Sequence, residues 1–280
     1  MFAQRDAIIR LLRDDDAHTV GLLKEQLASR GREAIPDLLD LLSSKDRKVG
    51  RHVEDVLHAI DAREAREELG RLCRCFPDHG GIAVLESATF LLARALVPGA
   101  EVEDTRRQLD TWGAALAKRL PSAATPDERA KLIGDFFGGE LGFRGNADNY
   151  YHVCNSLLPE VVRTRLGIPI TLALVYLFTG ARAGVAIDGI SFPGHFLIRM
   201  EEAFLDPFAR GRVMTPDDCA DILMRQNLKA DPAFFQPAPV RAIFRRVLAN
   251  LLYLYQTEDR EIAGMIEDWI ECLDGGENLA

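Results

Sequence analysis

From Leu172 to Ala183 the chain reads Leu-Ala-Leu-Val-Tyr-Leu-Phe-Thr-Gly-Ala-Arg-Ala, and a helix built from it is apolar almost all round. Such a helix belongs in the middle of a protein, so the rest of the chain must supply the layers that cover it. Crossing a bilayer takes about 20 apolar residues. The run from Ile168 to Phe178 is shorter than that and is soon followed by Arg182. Gly184 ends the helix, and Val185 to Phe192 then reads as a strand. Pro193-Gly194 turns the chain, His195 to Met200 reads as a second strand, and Ala203-Phe204-Leu205 as a third ending at Asp206-Pro207-Phe208.

Helices dominate on both sides. Ile82–Val97 reads as buried and Val102–Leu120 as amphipathic, and Thr125-Pro126-Asp127-Glu128 caps a further helix. Thr215-Pro216-Asp217-Asp218 caps another, and Val240–Tyr255 and Asp259–Leu273 make a C-terminal, tetratricopeptide-like hairpin. Near the start, Pro36 opens a short helix, Ser43-Ser44-Lys45-Asp46 is a polar connector, and Val49, Val53, Val56, Leu57 and Ile60 form the next stripe. That pattern fits one HEAT-like unit as well as a plain helical subdomain. The expected fold is α+β and predominantly helical. Its segments are 1–77 (HEAT-like), 78–235 (buried helix and small antiparallel sheet) and 236–280 (hairpin).

A net charge of -9 argues against nucleic acid and anionic membranes as main partners. Five scattered cysteines read as reduced thiols, and the N-terminus lacks the apolar core of a signal peptide, so a cytoplasmic location is expected. Cys73, Cys75 and His79 sit too close for a usual zinc site and no second ligand pair follows, so neither metal nor cofactor is expected.

A buried helix followed by strands bearing His and Asp is the order of papain-like and transglutaminase-like folds. There a helix terminus stabilises a thiolate, the imidazole moves its proton, and a carboxylate orients the imidazole. More closely, the chain resembles the bacterial SirB-type branch of the transglutaminase-like superfamily. The resemblance rests on Gly142-Phe143-Arg144-Gly145-Asn146, Tyr150-Tyr151, Asn155-Ser156-x-Leu158, Arg165-x-Gly167-Ile168-Pro169-Ile170-Thr171-Leu172, Pro193-Gly194-His195-Phe196-Leu197 and Asp206-Pro207-Phe208, and it covers roughly residues 80–255. It implies that His195 and Asp206 stand at the catalytic histidine and its carboxylate. The third position fails: the superfamily's Gly-x-Cys is here Gly167-Ile168-Pro169, with no thiol.

Cys154 is the one nearby substitute, with His152 or His195 as its base, although a lone cysteine is more simply a small apolar residue. Thr171 is a weaker nucleophile and more simply a capping or back-bonding hydroxyl. Arg144 and Asn155 either line a cleft or satisfy local backbone groups. His195 on its strand could also do no more than tie that strand to Asp206. Two functions follow. One is a non-catalytic module that binds a protein partner or acts as a scaffold; the other is a cysteine-dependent hydrolase or acyl transferase using Cys154, His195 and Asp206. The sequence favours the first, names no partner and leaves the oligomeric state open.

Overall fold

The computed structural model describes residues 5–43, 46–77 and 81–275. Ser44 and Lys45 of the polar connector, and His79 of the cysteine–histidine group, lie outside them. Twelve α-helices and six short strands occur among the described residues, so the fold is α+β and mostly helical. By compactness the chain forms two units, Met1–Glu68 with Arg94–Ala100, and Leu69–Ala93 with Glu101–Ala280.

The first unit is built from α1 (Arg5–Leu12), α2 (Ala17–Ser29), α3 (Ile35–Leu42) and most of α4 (Arg47–Arg74). Asp16 caps α2 by accepting the amides of His18 and Thr19, and Pro36 sits in the first turn of α3, where its missing N–H costs nothing. The apolar stripes meet in one core of Leu12, Leu27, Leu38, Leu41, Val49, Val53, Val56 and Ile60. Each large side chain buried there contributes roughly 2 kcal/mol.

In chain order the remaining elements are α5 (Ile82–Leu96), α6 (Val102–Arg119), α7 (Pro126–Gly134), β1 (Arg144–Gly145), α8 (Leu158–Thr164), β2 (Leu166–Gly167) and α9 (Pro169–Ala183). Then come β3 (Asp188–Ile190), β4 (Leu197–Met200), β5 (Ala203–Asp206), β6 (Arg212–Val213), α10 (Pro216–Arg225), α11 (Val240–Glu258) and α12 (Arg260–Gly275). Every residue of α9 from Pro169 to Gly180 is buried, as its apolar composition requires. Gly184 ends it at φ 74°, a left-handed position that glycine adopts without strain.

Helix α6 packs on α9 through Gly113, where a Cβ would stand 2.4 Å from the Arg182 Cβ. Arg182 then bridges three helices, donating to Glu86 of α5 at 2.7 and 2.8 Å and to Asp110 of α6 at 2.5 Å. Helix α11 also packs on α9 and on α12, and in this hairpin Arg245 pairs with Asp274 at 2.7 Å and Phe244 stacks on Phe76 at 5.6 Å.

Strands β3, β4, β5 and β6 form one antiparallel sheet in that order, against which α9 lies, and β1 pairs with β2 in parallel. The expected strand Val185–Phe192 is shorter at both ends. The Val185 amide is taken by Gly180 O to close α9 at 2.9 Å, and the Phe192 amide turns back to Ile190 O at 2.8 Å.

Candidate functional site

Asp206 is the last residue of β5, and the loop after it is folded by its own carboxylate. Oδ1 accepts the amides of Phe208 at 2.8 Å and Ala209 at 3.2 Å, an Asx-turn, while Asp206 O accepts the Gly211 amide at 2.8 Å. The loop lies against a seam of glycines. Beyond α7 the helix continues as a π-turn, Asp135–Glu140, and a Cβ on Gly138 would stand 1.9 Å from Arg210 O; one on Gly134 would stand 2.4 Å from Gly211 O. Main chain meets main chain here, and the carboxylate is placed accordingly.

His195 sits in the turn ahead of β4, and not on the strand as the sequence suggests. Gly194 at φ 68° bends the chain, the His195 amide returns to Phe192 O at 3.0 Å, and the ladder starts only at Leu197. Arg246 of α11 clamps this turn, donating to His195 O at 2.7 Å, Ser191 Oγ at 2.8 Å and Phe192 O at 3.4 Å. Burial lowers the pKa of this guanidinium, against the opposing influence of Tyr150. The His195 Nε2 stands 2.9 Å from Asp206 Oδ1, and the ring packs edge-on to Phe208 at 6.2 Å. With Gly194, Arg212, Met214, Asp221 and Arg225 the pair lines a cleft of about 310 Å³.

Phe208 carries the site toward the start of α9. Its carbonyl accepts the Gly145 amide at 2.8 Å, and its ring lies over Gly145, where a Cβ would stand 2.4 Å from it. Gly145 in turn pairs with Gly167, two residues before α9. Ile168 is the N-cap of α9 and offers no side-chain cap, and Pro169 opens the helix.

Asn155 is buried and fully employed. It accepts from Asn146 Nδ2 at 2.9 Å and donates to Asn149 O at 2.6 Å and Tyr150 O at 3.0 Å, while its carbonyl accepts the Ile168 amide at 3.2 Å. It ties the 146–155 loop to the start of α9. Arg144 has an exposed side chain, and its amide bonds Arg165 O at 3.0 Å. The Thr171 hydroxyl is buried without a hydrogen-bond partner among the described residues, so it neither caps nor bonds back as expected; the Tyr176 hydroxyl shares that condition.

Cys154 lies in a 3-10 turn, Val153–Ser156, and is half-buried. Burial pushes its thiol up, Glu160 adds to the rise and Arg163 opposes it. His152 Nδ1 accepts the Cys154 backbone amide at 3.2 Å, so that nitrogen caps the turn. Outside the cleft, Tyr150 stands 6.0 Å from Phe208, Tyr151 5.2 Å from Tyr150, and Tyr253 of α11 5.8 Å from Tyr151. Tyr151 and Tyr253 are 65% and 64% exposed. The sequence reading missed Arg246 and Tyr253, both on a helix whose own periodicity speaks only of packing. Among the described residues no group of three or more His, Cys, Asp or Glu could hold a metal ion, and no helix is long and apolar enough to cross a membrane.

Residues 103–249 match the family model described as the transglutaminase-like superfamily. The chain is 31% identical to a UPF0162 protein of Xylella fastidiosa, over 63% of this chain and 66% of that one. It is 31% identical to a UPF0162 protein of Pseudomonas aeruginosa, over 65% and 68%. Against F-box only protein 21 of Mus musculus it is 30% identical, over 42% of this chain and 20% of that one. The chain thus spans about two thirds of the bacterial relatives' length and a fifth of the mouse protein's. No solved structure matches it. The matched span contains the buried helix, His195 and Asp206, and on that match and the bacterial relatives the chain belongs to the transglutaminase-like superfamily.

Proposed function

We propose that this chain is a non-catalytic transglutaminase-like protein that holds a segment of a protein partner at the His195–Asp206 cleft and the adjoining tyrosines. The observation that carries the reading is the first turn of α9: Ile168-Pro169-Ile170, a proline where the superfamily's enzymes place their thiol. Covalent catalysis needs a nucleophile within reach of its base. The Cys154 thiol is raised by burial and Glu160, the opposite of the depression that activates a thiolate. What remains is an oriented imidazole, a cleft of about 310 Å³ and a row of exposed tyrosines, a residue type enriched where proteins bind. HEAT-like packing of α1–α4 would add a helical surface, and a cytoplasmic setting fits the unpaired thiols.

The retained His195–Asp206 pair favours one second reading, a cysteine-dependent hydrolase or acyl transferase using Cys154. Iodoacetamide at neutral pH separates the two. The binding reading expects exposed Cys75 to label first and Cys154 to label at the same rate in wild type and His195→Ala. Preferential labelling of Cys154, lost in His195→Ala, would overturn it.

A further inference from the structure

On β5, Phe204 and Asp206 are two residues apart and share a face of the sheet. Over that face α10 separates two hollows. Asp218, Asp221, Ile222 and Arg225, at helical spacing, turn toward the His195 cleft. Pro216, Cys219, Ala220 and Leu223 turn the other way, into a second hollow of about 400 Å³, a volume within the range of small-ligand sites. Met214, 8% exposed, is the wall between them.

The second hollow is apolar in its depth. Phe204 and Phe235 meet edge-to-face at 5.6 Å, and Cys219 and Leu223 belong to the core packed behind them. Its polar residues are Thr215 and Glu202. The Thr215 hydroxyl is occupied, donating to Asp218 Oδ2 at 2.8 Å and accepting the Asp218 amide at 3.2 Å. Glu202 stands exposed at the rim and makes no ion pair among the described residues. A greasy hollow with one unanswered carboxylate at its mouth selects an apolar group that carries a positive charge beside it.

We propose that this hollow receives one bulky apolar side chain of a partner polypeptide, with a Lys or Arg next to it in the partner's sequence meeting Glu202. Ligand-observed NMR titration of the full chain with three blocked dipeptide amides tests this: acetyl-Trp-Arg, acetyl-Ala-Arg and acetyl-Trp-Glu. Acetyl-Trp-Arg is expected to bind saturably, acetyl-Ala-Arg about tenfold more weakly for want of the indole, and acetyl-Trp-Glu about threefold more weakly for want of the charge pair. Ala220→Phe, which fills the hollow, should remove binding of acetyl-Trp-Arg, and Glu202→Gln should make the Arg and Glu peptides bind alike. Ala230→Phe fills the same space from the facing loop and serves if Ala220→Phe does not fold. Absence of saturable binding, binding unchanged by the filling variant, or an Arg preference that survives Glu202→Gln would each overturn the proposal. None of these variants touches His195, so the result is independent of the cleft's own role.

Discussion

Asp206 Oδ1 stands 2.9 Å from His195 Nε2 and also accepts the amides of Phe208 and Ala209. One buried carboxylate thus both orients the imidazole and folds the loop behind it. Asp206→Ala strands two amides and removes the carboxylate facing the imidazole, and the expected loss of unfolding free energy is about 3 kcal/mol. Chemical denaturation measures that loss. The ¹⁵N spectrum of the imidazole should also change, because the carboxylate 2.9 Å from Nε2 is then gone; an unchanged spectrum would refute the pairing.

Gly138→Ala tests the seam. Its Cβ would stand 1.9 Å from Arg210 O, main chain that cannot step aside as a flexible side chain can. The loop must shift, at a cost of about 2 kcal/mol or more, and the His195 spectrum should move with it although the substitution lies outside the cleft. Gly139→Ala, with nothing within 4 Å of the added Cβ, is the control expected to be near neutral.

Tyr176→Phe is expected to stabilise. The hydroxyl is fully buried with no partner among the described residues, and burial, with Asp206 close by, drives its pKa up. Deleting an unsatisfied hydroxyl should raise the unfolding free energy by about 1 kcal/mol. A loss of stability would show that the hydroxyl has a partner.

Asp218 supplies a pH signature. The Thr215 amide, the Thr215 hydroxyl and Arg212 hold its carboxyl at about 2, below its ordinary 3.8. A depressed folded-state pKa means stability that is present above the ordinary value and lost as pH falls through the folded one. Wild type should therefore melt above Asp218→Ala at neutral pH, with the difference shrinking between about pH 4 and pH 2. A constant gap across that window would contradict the capping assignment.

Arg182→Leu should cost about 3 kcal/mol, since it leaves Glu86, 9% exposed, without its main counter-charge. Arg182→Leu with Glu86→Leu should recover most of that. Thermal melts of the two variants decide.

What the sequence discloses here is what is local. The caps at Thr125 and Thr215 follow from residues within a single turn, and both appear as capping boxes. The all-round apolar run forms the buried helix, because composition alone decides that burial. His195 was expected on a strand, yet Pro193-Gly194 and the Arg246 clamp keep it in the turn, and the clamp comes from a helix some fifty residues further on. Strands β1, β2 and β6 are two residues each, too short for a period to register. Thr171 reads as a capping residue by its position, while tertiary packing seals its hydroxyl away from any acceptor among the described residues. The glycine seam is likewise invisible, since Gly138 and Arg210 meet only in three dimensions.

That seam has an evolutionary corollary. An acid set by side-chain packing can drift as its neighbours are exchanged for others of similar bulk, whereas one set by two peptide backbones in direct apposition cannot. Substitutions in the cleft's outer wall or at the start of α9 therefore leave the acid's place to the apposed main chains of Gly138 and Arg210.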